Sequence, residues 1–315
     1  MYGVKHMARH IVVLDAPSNL GLMPPLPGLE PGVRKLPDAL REHNLLERIG
    51  ASDAGRVTPP AYDPAIDPHT GVRNSAAIAA YARYLSERVA SILGSGGFPL
   101  LLGGDCSILL GPLLALRRMG RFGLCFIDGH LDLLLPETSQ TKGAAGMDLA
   151  LALGYGPALL SNLDEIDPLV QDVDVAALGY RGDTTSYGPL TSREGRPNLL
   201  WLPLSEVRNQ GAVQAAETVL SNFRRSNLDG FWVHLDVDVL DDRVMPAVDS
   251  RQPGGMTYNE LEDILSKLLR SPAAVGMEIT ILDPDLDPDG TVIDRFVAFL
   301  EDLFADSSQH GFDST

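Results

Sequence analysis

The 315-residue chain has two cysteines, Cys106 and Cys125. Two are too few for a disulfide framework and point to a reducing cytoplasm. No run of 18 apolar residues occurs, which argues against a transmembrane helix and a membrane partner. No basic start followed by an apolar stretch and a small-residue cleavage site appears, so a secretory signal is not expected. Basic residues are also scarce, 25 Lys and Arg against 42 Asp and Glu, for a net charge of −17. A chain this acidic lacks the cationic face that nucleic acid requires. There is no internal repeat, low-complexity tract or domain boundary. A single domain over 1–315 is expected, with 1–10 (which holds a second Met, Met7) and 301–315 outside the packed fold.

Hydrophobic residues make up 44% of the chain, ample for a sizeable core. Apolar runs at Ile11 to Leu14, Pro99 to Leu102, Phe122 to Ile127, Val173 to Leu178, Leu199 to Leu202, Gly230 to Leu235 and Val275 to Ile279 read as strands buried on both faces. Helical patterns lie between them, at Val33 to Ile49, Ser75 to Leu93, Ile108 to Met119, Gly211 to Arg225 and Tyr258 to Leu269. The alternation predicts a three-layer α/β/α fold with a mostly parallel central sheet. A loop holding Pro24, Pro25, Pro27 and Pro31 follows the first strand and is too long and rigid for a mere connector. In such folds ligands collect at the carboxyl ends of the strands.

Three strand ends carry the polar motifs: Gly103-Gly104-Asp105-Cys106-Ser107, Asp128-Gly129-His130-Leu131-Asp132 and Asp236-Val237-Asp238-Val239-Leu240-Asp241. In extended backbone, residues two apart share a face. Asp128, His130 and Asp132 would then converge, as would Asp236 and Asp238. A lone aspartate pair reads as a loop or helix-capping pair. Five ligand-type residues in two such sets are better explained by a bound divalent cation, which removes the cost of clustered like charge. The donors suit Mn²⁺ or a similar ion, and their number suggests two metals sharing carboxylates. Cys125, inside an apolar run, reads as core.

These motifs resemble the ureohydrolase family of arginases, agmatinases and formiminoglutamases. The family pattern is Gly-Gly-Asp-His-Ser, then Asp-Ala-His-x-Asp, then Asp-x-Asp-x-x-Asp, then a late Glu. The resemblance implies an arginase-like fold and a metal-activated hydroxide attacking a guanidinium or amidine carbon. It places Asp128 and Asp236 between two metals, Asp132 and Cys106 on one, and His130 and Asp238 on the other. It makes Asp132 the group that holds the hydroxide's proton and passes it to the leaving nitrogen, and Glu278 the partner of the substrate's cationic group. It also implies a homo-oligomer, trimer or hexamer.

Three departures are visible. Cys106 replaces the family's His, so it is a softer ligand or leaves the position open; family members acting on N-hydroxylated arginine derivatives carry Cys here. Ala145 replaces a proton-shuttling His, for which His234 is a candidate substitute. Leu134 and Gly143 replace polar residues that hold the amino-acid end of arginine, while Ser139 and Thr141 keep hydroxyls. Asp183 and Asp249 are further candidate substrate contacts. Plain L-arginine is therefore not the expected substrate. The alternatives are a catalytically silent member that binds metal or ligand, and a hydrolase using Cys106 as nucleophile.

Overall fold

The computed structural model describes residues 9–182, 190 and 198–306. Eight strands form one sheet in the order β2-β1-β3-β8-β7-β4-β5-β6, and every pairing is parallel. They are β1 (Ile11–Asp15), β2 (Ser52–Arg56), β3 (Phe98–Leu102), β4 (Phe122–Ile127), β5 (Val175–Leu178), β6 (Leu200–Leu202), β7 (Gly230–Asp236) and β8 (Ala274–Thr280). The helices are α1 (Leu36–Glu42), α2 (Leu45–Arg48), α3 (Ser75–Gly94), α4 (Leu110–Met119), α5 (Asp148–Ala152), α6 (Ala158–Ser161), α7 (Leu204–Gln210), α8 (Ala212–Arg225), α9 (Tyr258–Leu269) and α10 (Thr291–Asp306).

The core has two apolar layers, one on each sheet face. Along β1, Ile11 and Val13 enter one layer with residues of α1, α8, α9 and α10. Val12 and Leu14 enter the other with residues of α3, α4, α5 and α6. This is the expected α/β/α sandwich, with strand alternation deciding which helix layer each side chain meets. No described helix is long and apolar enough to cross a membrane.

Four expectations change. The helix expected over Val33 to Ile49 is broken at Asn44, which sits at φ 60° between α1 and α2; Asn tolerates this left-handed conformation. Strand β2 has no apolar pattern, and only its pairing with β1 makes it a strand. The 301–315 segment is not wholly a tail: α10 runs to Asp306, with Leu303 and Phe304 buried. Arg9 is also tied down, donating to the carbonyls of Leu269, Ser271 and Ala274.

Candidate metal centre

Four adjacent strands, β3, β8, β7 and β4, end at one edge of the sheet, and their carboxyl ends carry the polar motifs. After β3 the chain must pass against the loop at Ser18. A Cβ on Gly104 would lie 1.7 Å from the Ser18 carbonyl oxygen, so only glycine fits. Asp105 then accepts from Ser107 N at 2.9 Å and from Ser18 Oγ at 2.6 Å. That cap opens a short 3₁₀ turn at Cys106–Leu109 and aims Cys106 inward. Cys106 Sγ donates to Asp236 Oδ2 at 3.0 Å and lies 3.2 Å from Thr280 Oγ1. Burial, then the charge of Asp236 and its neighbours, pushes the thiol well above its ordinary range.

The aspartates converge, but not along extended backbone. β4 stops at Ile127 and β7 at Asp236, where a 3₁₀ turn, Val237–Val239, begins. Asp128 Oδ1 accepts from His130 N at 2.5 Å, and Asp236 Oδ1 accepts from Asp238 N at 2.8 Å. Each first carboxylate thus folds its own strand end into a tight turn. Asp132 lies beyond, at φ 45°. A Cβ on Gly129 would meet Asp238 Oδ1 at 2.7 Å. Without one, Gly129 N donates to that oxygen at 3.0 Å. His130 Nδ1 meets Asp238 Oδ2 at 2.9 Å, and Gln252 Nε2 contacts His130 Nε2 at 2.7 Å. Burial alone would lower the His130 pKa, but hydrogen bonds to Asp128 and Asp238 and their charge override it and raise it.

Among the described residues, ligand-type atoms within 4.8 Å of one another form three groups: Cys106-Asp128-Asp236, Asp128-His130-Asp238 and Cys106-Asp148-His234. Burial, then neighbouring carboxylates, pushes Asp236 and Asp148 well above the usual range. Burial with Asp238 does the same, more mildly, to Asp128. Asp128 Oδ2, Asp148 Oδ2, His234 Nε2 and Glu278 Oε2 are buried without a hydrogen-bond partner. Such atoms are costly unless something satisfies them. Asp128 Oδ2 and Asp148 Oδ2 both lie within 4.0 Å of His234 Nε2, an arrangement that fits a divalent cation.

The centre underlies a cleft of about 850 Å³ lined by Cys106, His130, Asp132, Asp236 and Asp238. The Pro-rich loop forms one wall, with Gly21, Leu22, Pro25 and Pro31. Asp132 is half-buried and belongs to none of the three groups; burial with Asp128 and Asp148 raises its pKa well above normal. Thr141 and Asp249 line the cleft. Asp249 is exposed at its mouth; partial desolvation and Asp238 push it up to about 6.

Other expected residues lie elsewhere. Ser139 is buried away from the cleft, accepting from Lys142 N at 3.0 Å. Glu278 was expected opposite the substrate's cation, but it is fully buried, does not line the cleft, and meets His234 Nδ1 at 2.8 Å. His234 is equally buried and stacked on Phe126, out of contact with solvent and absent from the cleft lining. Asp183 lies outside the described residues. Sequence reasoning missed Asp148 and Gln252. A lone Asp inside Met147-Asp148-Leu149-Ala150-Leu151 was a usable signal; for Gln252 there was none.

Fold and site together define a parallel α/β protein with a carboxylate-rich cleft whose floor groups ligand-type side chains that could hold metal ions. The chain belongs to the arginase family, whose model matches residues 11–302. It is 26% identical over 289 residues to an arginase of Staphylococcus aureus (strain MRSA252), covering 88% of this chain and 94% of that one. It is 30% identical over 223 residues to an arginase of Brevibacillus brevis, covering 70% and 74%. The solved arginase of Bacillus caldovelox superposes with a TM-score of 0.83 at 27% identity, covering 94% and 98%.

Proposed function

We propose that this chain is a dinuclear metal hydrolase that cleaves a C–N bond of a guanidino or amidino compound other than plain L-arginine. The observation that carries the reading is the pair of ligand groups, Cys106-Asp128-Asp236 and Asp128-His130-Asp238, that share Asp128 beneath an open cleft. The solved and curated relatives reported above are named arginases. Cys106, Asp128, His130, Asp236 and Asp238 would hold two divalent cations, Mn²⁺ in the first instance, which when bound would supply a water nucleophile at neutral pH.

The chain's own residues supply the rest. Asp132 faces the cleft with a raised proton affinity. That suits it to take a proton and hand it to the leaving nitrogen. The cleft walls carry Glu30, Asp249, Asp283 and Asp285 with Arg251; Glu30 pairs with Arg34 and Asp285 with Lys35, so it is Asp249 and Asp283 whose field favours a cationic substrate. Asp249 takes the place first expected for Glu278, which instead positions His234. Leu134, a cleft residue, gives an amino-acid head group no polar partner. The proposed substrate classes are N-hydroxyarginine-, agmatine- and guanidino-acid-like compounds; Leu134 favours agmatine, which lacks the amino-acid head group, and N-hydroxyarginine rests on Cys106 instead. The reading carries with it a cytoplasmic homo-oligomer, trimer or hexamer.

The test is a panel of arginine, N-hydroxyarginine, agmatine, guanidinobutyrate and formiminoglutamate, each with Mn²⁺ added to chelator-treated protein. Turnover of at least one, with release of urea, hydroxyurea or formamide, is expected. One observation favours a silent metal-binding member instead: Ala145, unable to carry a proton, lines the cleft. No turnover on any of the five, with metal bound, would establish that second reading.

A further inference from the structure

Beneath the cleft floor, Cys106 and Asp128 also face two residues that the shared-Asp128 pair does not use, Asp148 and His234. Cys106, Asp148 and His234 present a sulfur, an oxygen and a nitrogen within 4.8 Å of one another, all buried. His234 Nε2 stands 3.9 Å from Asp148 Oδ2 and 4.0 Å from Asp128 Oδ2. These three atoms have no hydrogen-bond partner. The gaps are too long for hydrogen bonds. They are also too short for buried unpaired atoms to face one another without cost.

The register of the sheet fixes the imidazole. His234 and Glu278 are partners on β7 and β8, and Glu278 Oε1 meets His234 Nδ1 at 2.8 Å. The ring lies flat on Phe126, with centroids 4.6 Å apart and planes 9° apart. A carboxylate on Nδ1 keeps the proton there and leaves the lone pair on Nε2. A lone pair aimed at two carboxylate oxygens is repulsive unless a cation lies between them. A carboxylate behind a histidine is the usual way of orienting an imidazole toward a metal.

We infer that Cys106, Asp148 and His234, with Asp128 Oδ2 as fourth donor, form an inner cation site that selects zinc over manganese. A tetrahedron with bonds of about 2.0–2.3 Å has edges of about 3.3–3.8 Å. The observed 3.9 and 4.0 Å separations therefore need only a small contraction. A thiolate and an imidazole make the donor set softer than the oxygen-rich sets that suit manganese. The imidazole missing at Cys106 is returned by His234, from a strand two places away in the sheet. The inference rests on the proposed reading only in placing this cation beside a second one; its own support is local.

The first test uses wild-type protein crystallised with zinc alone and anomalous scattering at the zinc edge. The expected peak lies about 2.3 Å from Cys106 Sγ and about 2.0–2.1 Å from His234 Nε2. No zinc bound, or zinc held only by the His130 and Asp236 side with His234 uncoordinated, overturns the inference. The second test titrates chelator-treated protein with Co²⁺ and follows the thiolate-to-cobalt charge-transfer absorption. Asp148→Asn and His234→Gln, both close in size to the native residues, should weaken Co²⁺ binding at least about tenfold. Asp238→Asn should leave the absorption in place. An unchanged band and affinity in both inner-site variants overturns the inference, and if either fails to fold the wild-type scattering decides. Zinc seated on His234 without guanidino hydrolysis removes the functional reading and keeps the site. Hydrolysis with a metal-free His234 does the reverse.

Discussion

The two ends of the carboxylate cluster use the same residue types and are left in opposite states. At the outer end His130 and Asp238 use all their side-chain polar atoms: Nδ1 with Oδ2, Gly129 N on Oδ1, and Gln252 on Nε2. At the inner end Asp128 Oδ2, Asp148 Oδ2 and His234 Nε2 meet nothing. The outer end can be satisfied by a proton, which Asp128 and Asp238 help His130 to hold. At the inner end a proton on Asp148 lowers the charge but leaves the 3.9 and 4.0 Å gaps to His234 unbridged. Protons and metal therefore compete at both ends, but only at the inner end does a cation also fill gaps that no hydrogen bond spans.

The largest effect should come from the residue both ends share. Asp128→Asn removes a ligand from both groups of the proposed dinuclear centre. Hydrolysis should fall by more than the roughly 100-fold that loss of an outer-shell partner can cause, and the bound metal per protein should drop at both positions. Full metal content with turnover within tenfold of wild type would show that Asp128 is not shared.

Next comes a pH dependence that separates the ends. Asp148 and Asp236 have proton affinities raised by folding, from an ordinary 3.8 to well above it. Across that interval the folded state holds more protons than the unfolded one, so stability falls as pH rises. Below 3.8 both states are protonated and this contribution is fully present. His130 is also raised, above an ordinary 6.5, so its stabilising contribution persists through neutral pH. Chelator-treated protein should thus lose Tm as pH rises above about 4, and added Zn²⁺ should restore it most at the higher pH. Asp148→Asn should flatten the metal-free slope; a slope unchanged in that variant would place the cost elsewhere.

The outer end was the more legible in the sequence. Asp128, His130, Asp236 and Asp238 stand in two short motifs at the ends of apolar strands, and local spacing announced them. The period-2 rationale was nonetheless incomplete, since tight turns rather than extended backbone bring them together. The inner end depends on non-local facts. His234 meets Glu278 because β7 and β8 pair in that register. Asp148 meets His234 because α5 packs on the face to which Trp232 also points. No pattern along one segment encodes such a meeting. The sheet itself was legible wherever strands are buried on both faces; β2 was not, being polar and defined by its neighbour alone.

A smaller effect should confine itself to the outer end. Gln252→Leu removes the contact to His130 Nε2 and the weaker one from Arg181 Nε at 3.3 Å. Metal affinity at His130 should weaken about 10- to 100-fold, while the cobalt–thiolate absorption at Cys106 stays unchanged. Loss of both signals together would mean that the two ends bind as one unit.

The smallest effect should lie on the cleft wall, away from both ends. Thr141 Oγ1 accepts from Gly143 N at 3.2 Å and lies 3.3 Å from Ser139 Oγ, yet Thr141 also lines the cleft. Thr141→Val removes the hydroxyl with little change in volume. One neutral hydrogen bond is worth about 0.5–1.5 kcal/mol, which corresponds to roughly 2- to 10-fold in KM if the hydroxyl touches substrate. Thr141→Ser keeps the hydroxyl and should restore KM, leaving kcat unchanged in both variants, because Thr141 belongs to none of the ligand groups. A fall in kcat that serine does not rescue would mean that the Ser139–Gly143 turn holds Asp132 in place. The comparison of two ends would then need a third region.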